Sequence, residues 1–130
     1  MKKLMLLVLL AAQVISACAQ ESGYSAGNSV EDFKLKNVDG KMVSLSDYES
    51  AKGFIVVFTC NTCPYANAYE QRIIDLHNKY ASKGFPVVAI NPNDPVASPA
   101  DSFEQMQKRA SEKKYPFPYL IEPEHTVTKR

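Results

Sequence analysis

The sequence predicts an α/β domain with a mostly parallel central sheet, and two observations support this fold class. Short apolar segments alternate along the chain with longer segments of helical periodicity, which is typical of β–α–β units. Two of the apolar segments are continuous runs rich in β-branched residues, as expected of strands that are buried on both faces. The chain has 130 residues, which is the length of one domain.

The N-terminus has the pattern of a bacterial signal peptide over residues 1–17. Two lysines precede an apolar run that is shorter than the roughly 20 residues of a membrane-spanning helix. Residues 15–18 (Ile-Ser-Ala-Cys) resemble the bacterial lipobox, which implies cleavage before Cys18 and a lipid on its thiol. The alternative is ordinary cleavage nearby, which leaves Cys18 as a free thiol. We expect a lipoprotein of the inner or outer membrane that faces the periplasm, with a flexible tether at residues 18–29.

The predicted domain, residues 30–130, begins with a β-hairpin. Two alternating segments, 33–35 and 42–45, flank an Asp-Gly pair at 39–40. This pair is a hairpin signal because glycine readily adopts the positive φ that the turn needs.

A strand and a helix follow the hairpin. Residues 54–58 form a continuous apolar run, which predicts a strand buried on both faces. A helix is predicted from about Cys60 to Lys83, with Gly84 as its stop signal. Its apolar positions repeat with helical spacing along one face: Ala66, Tyr69, Ile73, Leu76 and Tyr80.

A second unit completes the predicted sheet. Residues 87–90 predict another buried strand, and residues 91–95 a tight turn at its carboxyl end, where α/β proteins commonly bind ligands. Residues 101–113 predict a helix with Met106 facing inward, and residues 119–121 predict a third strand.

The last five residues, 126–130, have the pattern of a helix that is only beginning. A helix of about one turn does not persist alone in water. The pattern therefore predicts a chain truncated within its domain, and a disordered tail is the alternative.

Charge and histidine content exclude some classes of function. A net charge of +1 gives no argument for a nucleic-acid partner. His77 and His125 are far apart in the sequence and offer no cluster for a metal. We expect no metal, nucleotide or organic cofactor.

Cys60 and Cys63 are the candidate catalytic residues. Cys60 is expected where the strand meets the helix, and the unpaired N–H groups of a first turn lower the pKa of a thiol there. The spacing of three places Cys63 on the same side, close enough to resolve a mixed disulfide on Cys60. Pro64 suits a first turn because its missing N–H would be unpaired there in any case.

Three other interpretations of the Cys-x-x-Cys pair stay open. Half of a zinc site is one, although a closed structural site needs four ligands. A structural disulfide is another, although so short a loop contributes little by the loop-closure model. The third is a thiol that reduces peroxides.

Residues 58–65, with the strand before them and the helix after them, resemble the thioredoxin superfamily. Three segments are similar to its exported, membrane-anchored redoxin branch, which is related to the AhpC/TSA peroxiredoxins: 60–65 (Cys-Asn-Thr-Cys-Pro-Tyr), 89–94 (Ala-Ile-Asn-Pro-Asn-Asp) and 115–120 (Tyr-Pro-Phe-Pro-Tyr-Leu). The resemblance runs from about residue 30 to the end. It implies a thioredoxin-like fold with an N-terminal hairpin and an extra helix–strand insertion, whose last strands and helix are missing. It also implies disulfide oxidoreductase activity.

Two departures from the family pattern stand out. Peroxiredoxins carry a proline and a threonine one turn upstream of the peroxidatic cysteine, whereas residues 54–59 hold no proline. Thioredoxin-like proteins also place a cis-proline loop beside the cysteine pair, and Pro116 and Pro118 come too early in the chain to replace it.

Residues near Cys60 and Cys63 are expected to support the thiol chemistry. Asn61 and Thr62 are expected to tune the redox potential by contacting the sulfurs. Tyr65 is expected beside a substrate groove, Tyr69 in the core, and His77 on the surface of its helix or at the boundary between surface and core. The cations of the second helix are expected on a solvated face: Lys108, Arg109, Lys113 and Lys114.

These features predict a lipid-anchored thiol–disulfide oxidoreductase of the bacterial cell envelope. Its partners would be disulfides or dithiols of exported proteins, or the thiols of a membrane electron donor. One alternative is an antioxidant redoxin that reduces peroxides. The other is a non-catalytic, anchored binding module with a structural Cys60–Cys63 disulfide.

Overall fold

A mixed, five-stranded sheet forms the centre of the computed structural model, which describes residues 23–130. Its strands are β1 (Lys34–Asn37), β2 (Met42–Ser44), β3 (Ile55–Phe58), β4 (Val87–Asn91) and β5 (Tyr119–Ile121), and its helices are α1 (Pro64–Tyr80) and α2 (Phe103–Lys113). The strand order is β2-β1-β5-β4-β3. Strands β3, β4 and β5 are parallel, whereas β1 is antiparallel to both β2 and β5. The predicted α/β class is confirmed, with a hairpin added to a parallel three-stranded unit.

The predicted hairpin is present, and its turn follows the expected chemistry. Gly40 has φ 87°, which is the positive angle that the Asp-Gly signal predicts. The N–H of Asn37 donates to the carbonyl of Lys41 at 2.8 Å and closes the turn. Lys34 pairs with Ser44, so the two strands keep the register of the alternating pattern.

Strand β4 is the buried centre of the sheet, as its continuous apolar run predicts. All five of its residues are buried, and side chains pack against both of its faces. The helix-covered face carries one cluster of buried residues: Val87, Ala89, Met106, Phe117 and Tyr119. The opposite face carries a second: Phe33, Val88, Ile90 and Leu120.

Strand β3 differs from its prediction because it lies at the edge of the sheet. It pairs with β4 alone among the described strands, and every second side chain faces outward. Val56 is 37% exposed and Phe58 is 49% exposed. The prediction of a strand buried on both faces is therefore wrong for this run.

Helix α1 begins later than its periodicity predicts. It starts at Pro64 rather than Cys60, and a 3-10 turn over Ala81–Lys83 continues it to Gly84. Gly84 has φ 93° and ends the helix, as its place in the sequence predicts. The four residues that hold the two thiols thus form a loop between β3 and α1.

Helix α2 has the predicted bounds within two residues. Ser102 caps its first turn by accepting a hydrogen bond from the N–H of Gln105. Met106 is fully buried against the sheet, as predicted. Lys114 ends the helix with φ 52°.

The C-terminal residues form turns rather than the helical start that their pattern predicts. Glu122 is 1% exposed, and its carboxylate accepts hydrogen bonds from Val127 and Thr128. The N–H of Tyr24 donates to the carbonyl of Arg130 at 2.8 Å, although residues 23–29 are all exposed. The predicted signal peptide and Cys18 lie outside the described residues.

Replacing Met106 by alanine tests the core between α2 and the sheet. We expect Met106→Ala to lower the free energy of unfolding by about 2–5 kcal/mol, because it leaves a cavity at a fully buried site. Urea unfolding of the 130-residue chain measures this change. Gln105→Ala is the matched control on the exposed face of the same helix, with an expected change within about 0.5 kcal/mol. Equal losses for the two variants would contradict this packing.

Candidate functional site

The two thiols lie in the loop that joins the edge strand β3 to helix α1. Cys60 follows the end of β3 by two residues, and Cys63 is the N-cap residue of α1. Both are free cysteines and both are half-buried. Both side chains face the same groove beside the loop, and Cys60 is among the groups that lower the pKa of the Cys63 thiol.

The helix N-terminus acts on Cys63. The unpaired backbone N–H groups of Ala66 and then of Tyr65, in the first turn of α1, lower the pKa of the Cys63 thiol. Burial opposes this shift, and the neighbouring Cys60 side chain adds to it. Pro64 is the first residue of the helix, as predicted, so it removes no donor that the helix needs.

The expectation that Cys60 occupies the first turn is wrong. The helix begins four residues after Cys60, and the free N–H groups of its first turn point to Cys63 instead. The role of Cys60 as the attacking thiol stays a prediction.

Asn61, between the two thiols, is buried and is bound at all four of its polar groups. Its N–H donates to Asp101 Oδ1 at 2.6 Å, and its Nδ2 donates to the carbonyl of Ala100 at 2.8 Å. The hydroxyl of Tyr119 donates to its Oδ1 at 3.0 Å, and Arg109 Nη1 donates to its carbonyl at 3.0 Å. The polar atoms of Asn61 are therefore occupied by residues other than the cysteines, which contradicts the expected contact with the sulfurs.

Thr62 also faces away from the role expected of it. It is exposed, and its hydroxyl lies 3.5 Å from Asp101 Oδ2. Its redox effect stays a prediction without a sulfur contact to support it.

The carboxylate of Asp101 is the centre of a buried polar cluster. Besides Asn61, it accepts hydrogen bonds from Asn91, Asn93 and Ser98 at 3.1, 2.8 and 2.8 Å. Burial raises the pKa of Asp101, but these hydrogen bonds outweigh burial and hold the pKa below its usual value. The segment 91–95 is thus more than a tight turn, because two of its side chains support the thiol loop.

The sequence predicted Arg109 on a solvated face of its helix, and this prediction is wrong. Its side chain is only 20% exposed. Its Nη2 contacts Glu70 Oε2 and Asn67 Oδ1, each at 2.6 Å, and its Nε donates to the hydroxyl of Tyr115 at 3.2 Å. Sequence periodicity gave no signal for this contact, because it does not show which side chain of the neighbouring helix faces Arg109.

The neighbours of Arg109 complete a compact ionic network. Tyr115 donates to Glu70 at 2.7 Å, and burial raises the pKa of Tyr115 to about 12. Lys113 reaches the other oxygen of Glu70 at 3.1 Å while remaining half exposed. Burial raises the pKa of Glu70, but the bonds from Tyr115 and the two cations lower it below its usual value overall. Glu70 therefore remains a carboxylate at neutral pH.

An apolar groove of about 530 Å³ opens beside the thiols. Both cysteines line it, together with Phe58, Tyr65 and Tyr69. Tyr65 is 80% exposed and lies where the sequence predicts, although its role in binding stays a prediction. Tyr69 is 53% exposed, so its predicted place in the core is wrong.

The other candidate features are a metal site, His77 and a membrane-spanning helix. Within residues 23–130, no three His, Cys, Asp or Glu side chains come together as a metal site would require. His77 is half-buried, which agrees with the predicted surface or boundary position: its Nδ1 accepts the N–H of Val87 at 3.2 Å, and burial lowers its pKa. No helix of the described part of the chain is long and apolar enough to cross a membrane.

The parallel β3-β4-β5 unit, the antiparallel hairpin and the helices packed on them define a thioredoxin-like protein. A thiol:disulfide interchange protein of the thioredoxin family from Chlorobium tepidum shares this fold, with a TM-score of 0.65 at 18% identity over 82% of this chain and 68% of that chain. The model of the AhpC/TSA family matches residues 26–130, and the chain belongs to that family. Family membership indicates an oxidoreductase of the redoxin type.

Two further proteins are similar to this chain. An uncharacterized conserved protein from Geobacillus kaustophilus is 41% identical, with a TM-score of 0.75 over 79% of this chain and 55% of that chain. Phospholipid hydroperoxide glutathione peroxidase from Sapajus apella is 28% identical over 97 residues, which are 72% of this chain and 47% of that protein. The chain thus spans about half the length of the curated relatives it matches.

Alkylation kinetics test the effect of the helix on Cys63. In a Cys18→Ser, Cys60→Ser chain, Cys63 is the only cysteine. We expect its reaction with iodoacetamide to rise with pH around a midpoint below about 8.5, the value of an ordinary thiol, because the helix N–H groups stabilise the thiolate.

The same chain unfolded in guanidinium chloride is the control, since it lacks the helix. Its midpoint should return to the ordinary value and its rate at pH 7 should fall. Identical pH profiles for the folded and unfolded chains would contradict the proposed stabilisation.

Proposed function

We propose that the chain exchanges thiols and disulfides with proteins through Cys60 and Cys63. The observation that carries this proposal is a pair of free thiols that line one groove at the N-terminus of a helix, where backbone N–H groups stabilise a thiolate. Family membership and the thioredoxin-like fold support the same chemistry.

The two cysteines alone account for all the bonds and electrons of the exchange reaction. A thiolate of the pair attacks one sulfur of a substrate disulfide, forms a mixed disulfide, and releases the other substrate sulfur as a thiolate. The second cysteine then attacks the mixed disulfide, which yields the Cys60–Cys63 disulfide and a substrate with two thiols. Two electrons pass from the pair to the substrate, and the reverse sequence oxidises a dithiol.

The apolar groove supports a protein substrate. Phe58 and Tyr65 expose aromatic surface next to the thiols, and an extended polypeptide with apolar side chains can cover such surface. A peroxide of small size would leave most of this groove empty.

The order of attack is set by which sulfur carries the charge. The sequence predicts Cys60 as the attacking residue, whereas the helix N–H groups favour a thiolate on Cys63. Trapping assigns the order, because the variant that keeps only the attacking cysteine accumulates a mixed disulfide with its substrate.

Peroxide reduction is the second candidate, favoured by the likeness to glutathione peroxidases. In that reaction a thiolate attacks one oxygen of the peroxide, the O–O bond breaks, and the products are a cysteine sulfenic acid and an alcohol. The second cysteine then attacks the sulfenic sulfur, which forms the disulfide and releases water. The sequence from 54 to 59 lacks the proline that peroxiredoxins carry upstream of their cysteine.

Insulin reduction and peroxide consumption distinguish the two candidates. We expect the chain to accelerate insulin reduction by dithiothreitol, and Cys60→Ser and Cys63→Ser each to lower the rate by about a hundredfold or more, since two residues act as one unit. Cys18→Ser is the matched control, because it removes the cysteine outside the pair and should keep the rate. Fast peroxide turnover beside slow insulin reduction would assign the chain to the second candidate.

We also propose that the mature protein is lipid-anchored at Cys18 in the bacterial envelope and faces the periplasm. The lipobox-like residues 15–18 and the preceding apolar run support this proposal. The exchange partners would then be exported proteins or a membrane electron donor.

Labelling with radioactive palmitate in an envelope-bearing bacterium tests the anchor. We expect the full chain to incorporate label and to fractionate with membranes, and Cys18→Ser to lose both properties because it lacks the acceptor thiol. Cys63→Ser is the control and should remain labelled. An unlabelled full chain would refute the anchor without affecting the thiol chemistry.

A further inference from the structure

Asn61 links the two thiols to a part of the chain that is distant in sequence. It is held between Asp101 and Ala100 on one side and Arg109 and Tyr119 on the other, from 39 to 58 residues away. All four polar groups of Asn61 are bonded, so this residue has no freedom to rotate or shift without breaking a hydrogen bond.

Arg109 holds the loop at two places. One end of its guanidinium donates to the carbonyl of Asn61, and the other end contacts Asn67 and Glu70 in the first two turns of α1. These partners lie on either side of Cys63 in the sequence. The planar guanidinium therefore fixes the inter-cysteine segment relative to the helix that carries Cys63.

We propose that Arg109 is a positioning residue that sets the reduction potential of the Cys60/Cys63 couple by holding Asn61 in place. Arg109 acts through Asn61, with Asp101 and Tyr119 holding the opposite sides of the same residue. This inference rests on the proposed thiol–disulfide function and adds a residue to it.

The physical reason is the entropy of closing the disulfide. When the couple is oxidised, two electrons and two protons leave the thiols and one S–S bond forms between them. A loop that is already fixed with both cysteines facing one groove loses less freedom on closure, so the effective concentration of one thiol at the other is higher. Loosening the loop therefore disfavours the disulfide and makes the reduction potential less negative.

A purely structural role for Arg109 predicts a different result. If the arginine only neutralised Glu70, its loss would lower the stability of the fold, and a lysine would restore it because the charge returns. An ammonium group is compact and donates from one point, so it cannot span Asn61, Asn67 and Glu70 together. The reduction potential separates the two roles, since it compares two folded states of the same variant.

The test uses the 130-residue chain with Cys18→Ser, so that only the pair titrates. Arg109→Met, Arg109→Lys and Tyr119→Phe are equilibrated with mixtures of oxidised and reduced dithiothreitol, and the disulfide fraction is counted by mass after alkylation. Lys108→Met is the matched control, because Lys108 is exposed on the same helix and its ion pair within residues 23–130 is a 4.0 Å contact with Glu112.

We expect Arg109→Met to lower the equilibrium constant for disulfide formation about tenfold, which corresponds to about 30 mV towards a less negative potential. Arg109→Lys and Tyr119→Phe should shift it in the same direction by smaller factors, and Lys108→Met should leave it unchanged. If Arg109→Met does not fold by circular dichroism, Arg109→Lys carries the test, since it keeps the positive charge beside Glu70.

Two outcomes overturn the inference. In the first, folded Arg109 variants have an equilibrium constant within about twofold of Lys108→Met; in the second, their potential becomes more negative. A shifted potential without insulin reduction refutes only the proposed function, whereas insulin reduction with an unshifted potential refutes only the role of Arg109. If no Cys60–Cys63 disulfide forms under any condition, both fail.

Discussion

The buried carboxylate of Asp101 is the interaction on which the geometry of the thiol loop depends. A buried charge is costly unless hydrogen bonds compensate it, and here the donors come from three separate segments: Asn61 in the thiol loop, Asn91 and Asn93 at and just after the end of β4, and Ser98 in the turn before α2. Each donor satisfies the charge only if its own segment is in place. One carboxylate thus ties the thiol loop to the centre of the sheet.

The order of the strands in the sheet brings these segments close together, independently of the side-chain hydrogen bonds. Strands β3 and β4 are parallel neighbours, with Phe58 opposite Ile90, so their carboxyl ends meet at one edge of the fold. The loop after β3 holds the cysteines, and the end of β4 with the loop that follows it holds the two asparagines. All five residues of β4 are buried, so the asparagines start from a strand in the core of the fold.

The sequence predicted what local periodicity determines, and it failed where the outcome depends on neighbours. The hairpin, β4, β5 and the bounds of α2 follow from turn residues and apolar spacing. The exposure of Val56 follows from the place of β3 at the edge, and strand order is a tertiary property. A buried Arg109 has the same helical spacing as a solvated one, so only the position of Glu70 on the facing helix distinguishes them. Helix α1 starts at Pro64, so the free N–H groups of its first turn lie beside Cys63 and not beside Cys60. The predicted start differs from the observed one by about one turn, which is the usual error of a helix boundary drawn from sequence.

The network around Arg109 is better explained by position than by stability. Glu70 is 11% exposed and contacts two cations, and a buried ion pair of this kind commonly adds nothing over well-packed apolar side chains. Apolar replacements could fill the same volume between α1 and α2. They could not hold the carbonyl of Asn61, because only a donor with several N–H groups reaches that carbonyl and the helix together. Replacing the whole Arg109–Glu70 network by apolar side chains is therefore expected to leave the free energy of unfolding nearly unchanged and still to free the thiol loop. The interactions that keep this protein folded are thus different from those that hold its two cysteines in position.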